Sequence, residues 1–112
     1  MTSVKKISPE EMKEASKEDK CTILDVREKV DFEAEHIPLA VNMPMDEEDK
    51  SLKDLDKDKT LIVYCRAGGE SKKVAQELSD KGFKDVRVLE GGFMGWKRGV
   101  QKEFVNLSLI HI

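Results

Sequence analysis

Three apolar runs recur along the chain, and stretches with helical character separate them. Thr22-Ile23-Leu24-Asp25-Val26, Leu61-Ile62-Val63-Tyr64 and Val86-Arg87-Val88-Leu89 have the length and β-branched content of buried strands. Ala40-Val41-Asn42-Met43, closed by Pro44, reads as a further short strand. Strands that alternate with helices pair in parallel, because each crossover helix carries the chain back to the same starting edge. The expectation is an α/β domain with helices on both faces of one sheet.

The helical stretches have their own signals. In Ser8-Pro9-Glu10-Glu11, Ser8 suits the N-cap, Pro9 the first helical position, and Glu11 can reach back as in a capping box. That helix fades near Lys17 to Lys20. A short helix is expected over 29–36, ended by His36-Ile37-Pro38, since proline pushes its predecessor toward extended geometry. From about Ser71 to Lys81, Val74, Ala75 and Leu78 share one face, and Gly82 supplies the stop. Gly91-Gly92 makes a turn into a last helix, Phe93 to Arg98. The charged run 46–59, DEEDKSLKDLDKDK, reads as a short surface helix and a solvated turn rather than a binding face.

At 112 residues the chain has room for one core and one domain. Its net charge is -3 with both signs interspersed, which leaves neither a nucleic-acid footprint nor a polybasic membrane patch. No apolar run approaches the roughly 20 residues that cross a bilayer. MTSVKKISPEE turns charged before any apolar stretch, unlike a signal peptide, so a cytoplasmic protein is expected. Cys21 and Cys65 are the only cysteines, too few for a disulfide scaffold and, with two histidines, too few for a zinc site. The domain is expected over 1–102. The apolar tail EFVNLSLIHI (103–112) can pack on the body, meet a partner, or be foreign to the natural chain.

Chemistry points to VYCRAGGESKKV (63–74). Cys65 stands at the carboxyl end of a strand, where parallel sheets bind their ligands. The following helix aims its N-terminus at the same place, and free amides there favour an anion. A thiol in that field ionises more readily than its usual pKa of about 8.5. Gly68 and Gly69 let the backbone curl so that successive amides face inward. On these residues alone two readings stand: a thiolate nucleophile, or a small buried hydrophobe beside an ordinary turn.

CRAGGES resembles the active-site loop of the rhodanese (sulfurtransferase) family, usually C-x-x-G-x-R-S. ILDVRE (23–28) and DFEAEHIPLAVNMP (31–44) resemble the family's first strand and its F-x-x-G-H-I-P-G-A-x-N-I-P stretch. LIVYC (61–65) resembles the strand that enters the loop, and LEGGFMGW (89–96) its L-x-G-G-x-x-x-W close. The resemblance covers roughly residues 4 to 100. It implies a three-layer α/β/α fold with a mostly parallel sheet of about five strands, and no metal or organic cofactor. Cys65 would take up sulfur as a persulfide in a ping-pong exchange, held by the amides of Arg66, Ala67, Gly68, Gly69, Glu70 and Ser71. Asp25, Arg27, His36 and Trp96 would support the fold near the site. The implied partners are a small sulfur donor such as thiosulfate and a thiol or cyanide-type acceptor, with a sulfur-acceptor protein as an alternative. A monomer or weak dimer is expected.

The chain departs from the family pattern at three places. Glu70 stands where arginine is usual, and a carboxylate there opposes a dianionic donor, with Arg66 as a partial offset. Glu35 and Leu39 stand where glycines are usual. Related phosphatases use C-x-x-x-x-x-R, but here Ser71 fills the arginine position and the phosphate grip is lost. Rhodanese-like interaction modules lack the cysteine, which this chain keeps. A Cys21–Cys65 disulfide is disfavoured, because the two lie at opposite strand ends while a bridge needs Cα atoms within roughly 7 Å.

Overall fold

A computed structural model describes residues 4–17, 20–44, 55–67 and 69–99, apart from the side chain of Glu70. Five strands form one sheet: β1 (Lys5–Ile7), β2 (Cys21–Asp25), β3 (Val41–Asn42), β4 (Thr60–Tyr64) and β5 (Asp85–Leu89). Their order is β1-β5-β4-β2-β3, and every neighbouring pair is parallel. The helices are α1 (Pro9–Lys17), α2 (Lys29–Ala34), α3 (Gly69–Asp80) and α4 (92–99). Among the described residues no helix is long and apolar enough to cross a membrane.

Strand alternation sorts the core into two faces. Leu24, Leu61, Val63, Val86 and Val88 point to one side, where Val74, Ala75 and Leu78 of α3 cover them. Ile23, Ile62, Tyr64 and Leu89 point to the other, against Met12 of α1 and Phe93 of α4. Successive residues of a strand face opposite ways, so β2, β4 and β5 each feed both clusters at once. The result is the three-layer α/β/α arrangement.

α1 starts where its capping box requires. The Glu11 amide donates to Ser8 Oγ at 3.1 Å, and the Ser8 amide donates to Glu11 Oε1 at 3.1 Å. The bond from the Ser8 amide, and then the Ser8 hydroxyl beside it, hold the Glu11 carboxyl below the ordinary carboxylate range. α3 begins two residues before the expected Ser71, at Gly69. Two glycines discouraged a helix start, yet one at the first turn loses little there. β1 was not expected at all. Only Ile7 of its three residues is buried, too few to show an alternation, and the strand is defined by its pairing with β5. The expected helix over 46–59 falls largely outside the described residues, as does the tail 103–112; 55–59 are bends and turns.

From β2 the chain moves outward to β3, then returns to β4 on the other side of β2 and proceeds to β5. The order therefore reverses between β2 and β4. Open parallel sheets bind ligands beyond the carboxyl ends of the strands at such a switch point. Asp25 and Val26 leave one side of this crevice, and Tyr64 and Cys65 the other.

Candidate active site

Cys65 follows the last residue of β4, and the parity of that strand turns its side chain toward α3. It is 4% exposed and belongs to the cluster containing Val63 and Val74. The thiol is thus nearly covered rather than set on an open rim. Arg66 and Ala67, next in line, are exposed, and Ser71 in the first turn of α3 is buried. Gly68 and the Glu70 side chain lie outside the described residues. Cys21 opens β2 opposite Thr60, a strand length from Cys65, and neither cysteine is in a disulfide.

The start of α4 clamps this loop through the main chain. The Phe93 amide donates to the Cys65 carbonyl at 2.9 Å and the Met94 amide to the Arg66 carbonyl at 3.1 Å. Gly92 permits the approach. It sits at φ 58, and a Cβ added there would come within 2.6 Å of the Cys65 oxygen and 2.9 Å of the Arg66 oxygen. Both the left-handed conformation and the close contact require glycine.

Beyond β2, side chains do the holding. The fully buried Asp25 carboxylate accepts from the Arg27 amide (2.9 Å), Nε (3.1 Å) and Nη2 (2.8 Å). Tyr64 Oη donates to Asp25 Oδ2 at 2.6 Å and accepts the Ile37 amide at 3.2 Å. Burial, then the bond to Asp25, pushes the Tyr64 phenol well above its ordinary value, so it remains a donor. Burial lowers the Arg27 pKa, but the bond and charge of Asp25 outweigh it and the net shift is upward. Arg27 Nη2 also donates to the Glu35 carbonyl at 2.6 Å, and its guanidinium lies 4.2 Å from the centroid of the Phe93 ring. The Asn42 amide joins in, donating to the carbonyls of Asp25 (3.0 Å) and Arg27 (3.1 Å).

His36 Nδ1 lies 2.8 Å from the Phe32 carbonyl, and the two rings stack with centroids 3.9 Å apart. A carbonyl only accepts, so Nδ1 carries the proton in this contact. Trp96 packs on the cluster of Ile23, Ile37 and Phe93, the face away from Cys65, with its ring 5.8 Å from that of Phe93. The structure therefore places Cys65, Arg66 and Ala67 just after β4 and Gly69 to Ser71 in the first turn of α3, and it joins Asp25 and Arg27 in one ion pair at the end of β2. Sequence reasoning missed Tyr64 and Asn42. A tyrosine closing an aliphatic strand was the available signal, because its buried hydroxyl must find a partner.

The chain matches the family model described as "Rhodanese-like domain" over residues 8–99. It is 41% identical over 93 residues to thiosulfate sulfurtransferase GlpE of Coxiella burnetii, covering 83% of this chain and 87% of that relative. It is 38% identical over 95 residues to the putative sulfurtransferase YtwF of Bacillus subtilis, covering 84% and 91%. The crystal structure of a rhodanese-like domain protein from Staphylococcus aureus superimposes with a TM-score of 0.75 at 32% identity, covering 83% of this chain and 91% of that one.

Proposed function

The chain belongs to the rhodanese-like domain family, and from that premise we propose that it is a sulfurtransferase working through a persulfide on Cys65. One juxtaposition carries the reading. Cys65 follows β4 at the switch point of the sheet, and α3 begins at Gly69 just beyond it. The positive end of a helix dipole is then close to the sulfur, which favours the thiolate.

In the first half-reaction the Cys65 thiolate attacks the outer sulfur of a donor such as thiosulfate. The donor S–S bond breaks, sulfite leaves with the bonding pair, and Cys65 carries a terminal S⁻. In the second, a thiol or cyanide-type acceptor attacks that terminal sulfur and the Cys65 thiolate returns. Dividing the transfer in two makes each step easier and gives ping-pong kinetics. The amides of residues 66–71 would hold the outer sulfur. A sulfur-acceptor protein fits the same scheme as the second substrate.

Incubation with thiosulfate followed by intact-mass measurement tests the proposal. Wild type should gain one sulfur atom, removable by cyanide, and Cys65→Ser should gain none. Equal gain in both, or none in wild type with any sulfane donor, overturns it. The 4% exposure of Cys65 favours one rival, a rhodanese-like carrier or interaction module with little thiosulfate:cyanide turnover. A module takes up no sulfur; a carrier takes it up but turns over slowly with cyanide. Glu70 adds a further expectation: thiosulfate is a poor donor and a less charged persulfide a better one. Glu70→Arg should lower the thiosulfate KM, and an unchanged KM would remove that role from Glu70.

A further inference from the structure

A cleft of about 350 Å³ opens between the first turn of α3 and the carboxyl ends of β5 and β1. Ala67 and Gly69 line one side, Val88 and Glu90 the other, and Lys6 and Lys72 complete it. Lys6 pairs in register with Val88, so it shares the α3 face of the sheet, the face that Cys65 also takes. Small-molecule sites occupy roughly 300–1,000 Å³, and this cleft falls within that range.

Its charges are uncommitted. Lys84 and Lys97 are each held by an acid, but among the described residues neither Lys6 nor Lys72 is in an ion pair, and nor is Glu90. All three are exposed, and two cations outnumber one acid. The positive end of α3 lies on the same side and adds to the attraction for an anion. β1 is two strands from β4, so Lys6 stands roughly 10 Å across the sheet from the strand that leads to Cys65. Thiosulfate carries its charge on oxygens right beside the transferred sulfur. A cation this far off serves a longer molecule, with its anionic group set apart from its sulfur. We propose that the cleft receives the carboxylate of a small thiol whose sulfur reaches Cys65, a specificity site that rests on the sulfurtransferase reading. The thiol attacks the terminal sulfur of loaded Cys65 and its proton passes to that sulfur. The Cys65 S–S bond breaks with its pair returning to Cys65 as thiolate, and the sulfur departs on the small molecule as a persulfide.

Mercaptobutyrate and mercaptobutanol differ only at the end far from the thiol, carboxylate against hydroxyl, and so test the cleft. Protein loaded with sulfur and freed of excess donor is mixed with either thiol, and loss of the added mass is followed at equal thiolate concentration. Wild type should yield its sulfur faster to mercaptobutyrate. Lys6→Gln and Lys72→Gln should each lower that preference about threefold, the scale of one exposed charge pair, and Glu90→Gln should raise it. Lys73→Gln removes the same charge from an exposed neighbour outside the cleft and should leave the preference as in wild type. A loaded wild type without preference, or an equal loss in Lys73→Gln, would overturn the cleft and leave the persulfide chemistry standing. Failure of wild type to load sulfur would instead overturn the sulfurtransferase reading, and this site with it.

Discussion

The two strand ends that border the crevice are held in opposite ways. After β2, side chains do the holding: Asp25, Arg27 and Tyr64 form a network in which each side chain depends on another's identity, and the Asn42 side chain ties the Asp25 and Arg27 carbonyls. After β4, backbone holds backbone: the carbonyls of Cys65 and Arg66 take amides from Phe93 and Met94, while the side chains of Arg66 and Ala67 face solvent. A loop fixed through its main chain can change side chains without losing shape. The acid at Glu70 lies at that end, whereas the network end keeps the Asp25–Arg27 pair intact. Chemistry can vary where geometry does not depend on it.

The largest effect that would break this comparison concerns Asp25. Asp25→Ala leaves a largely buried guanidinium and a buried phenol without their acceptor. Removing one member of a buried ion pair costs about 3–5 kcal/mol. Urea unfolding should show the unfolding free energy falling by that amount, through a lower midpoint at an unchanged slope, with sulfur uptake per folded molecule retained. A loss below about 1 kcal/mol would place the pair in the surface class and dissolve the contrast.

Gly92→Ala probes the other end. The new methyl would lie 2.6 Å from the Cys65 oxygen at a residue held at φ 58, so the loop or α4 must move. Non-glycine residues in the left-handed region cost about 1–2 kcal/mol, and the clash adds displacement of Cys65. Initial rates should fall at least about tenfold, which is ~1.4 kcal/mol of barrier, while the protein stays folded. Wild-type rates at normal stability would mean that the clamp is incidental to the loop.

Ser8→Ala is smaller and touches neither end. It removes the hydroxyl that caps α1, and such caps contribute about 1 kcal/mol. Thermal unfolding should record the loss with sulfur uptake untouched. A change in uptake would show that α1 communicates with the loop after all.

These contrasts follow what a single sequence can express. Local signals were fully legible: the capping box at Ser8 and Glu11, the stop at Gly82, and the apolar strands 61–64 and 86–89 all appear where their residues put them. Nonlocal ones were not. Tyr64 bonds a carboxylate 39 residues away, and nothing adjacent to either residue announces the pair. β1 exists because β5 offers it an edge, not because Lys5-Lys6-Ile7 favours a strand. The loop's cysteine and glycines could be read, but its clamp arises from amides 28 residues further on, and Gly92, the one residue type that clamp requires, reads from sequence only as part of a turn. Rotation of Trp96 to the far face was hidden for the same reason, since the motif fixes its place in the chain and not its side of the sheet.

The smallest prediction has the opposite sign and separates two departures that look alike in sequence. Glu35 and Leu39 both replace family glycines, yet their backbones differ. Glu35 has φ -168, an extended conformation open to any residue, and its carboxylate pairs with Lys97 at 2.9 Å. Leu39 has φ 71, inside the turn closed by the Ala40 amide on the Ile37 carbonyl. A leucine there has no polar side chain to offset the conformation, so it carries strain of about 1–2 kcal/mol. Glycine would relieve that strain but lose up to about 1 kcal/mol through the greater freedom of the unfolded chain. Leu39→Gly should therefore stabilise the fold by roughly 0–1 kcal/mol, and Glu35→Gly should only weaken it. If Leu39→Gly proved destabilising, the leucine side chain would have to be giving back more than its strain.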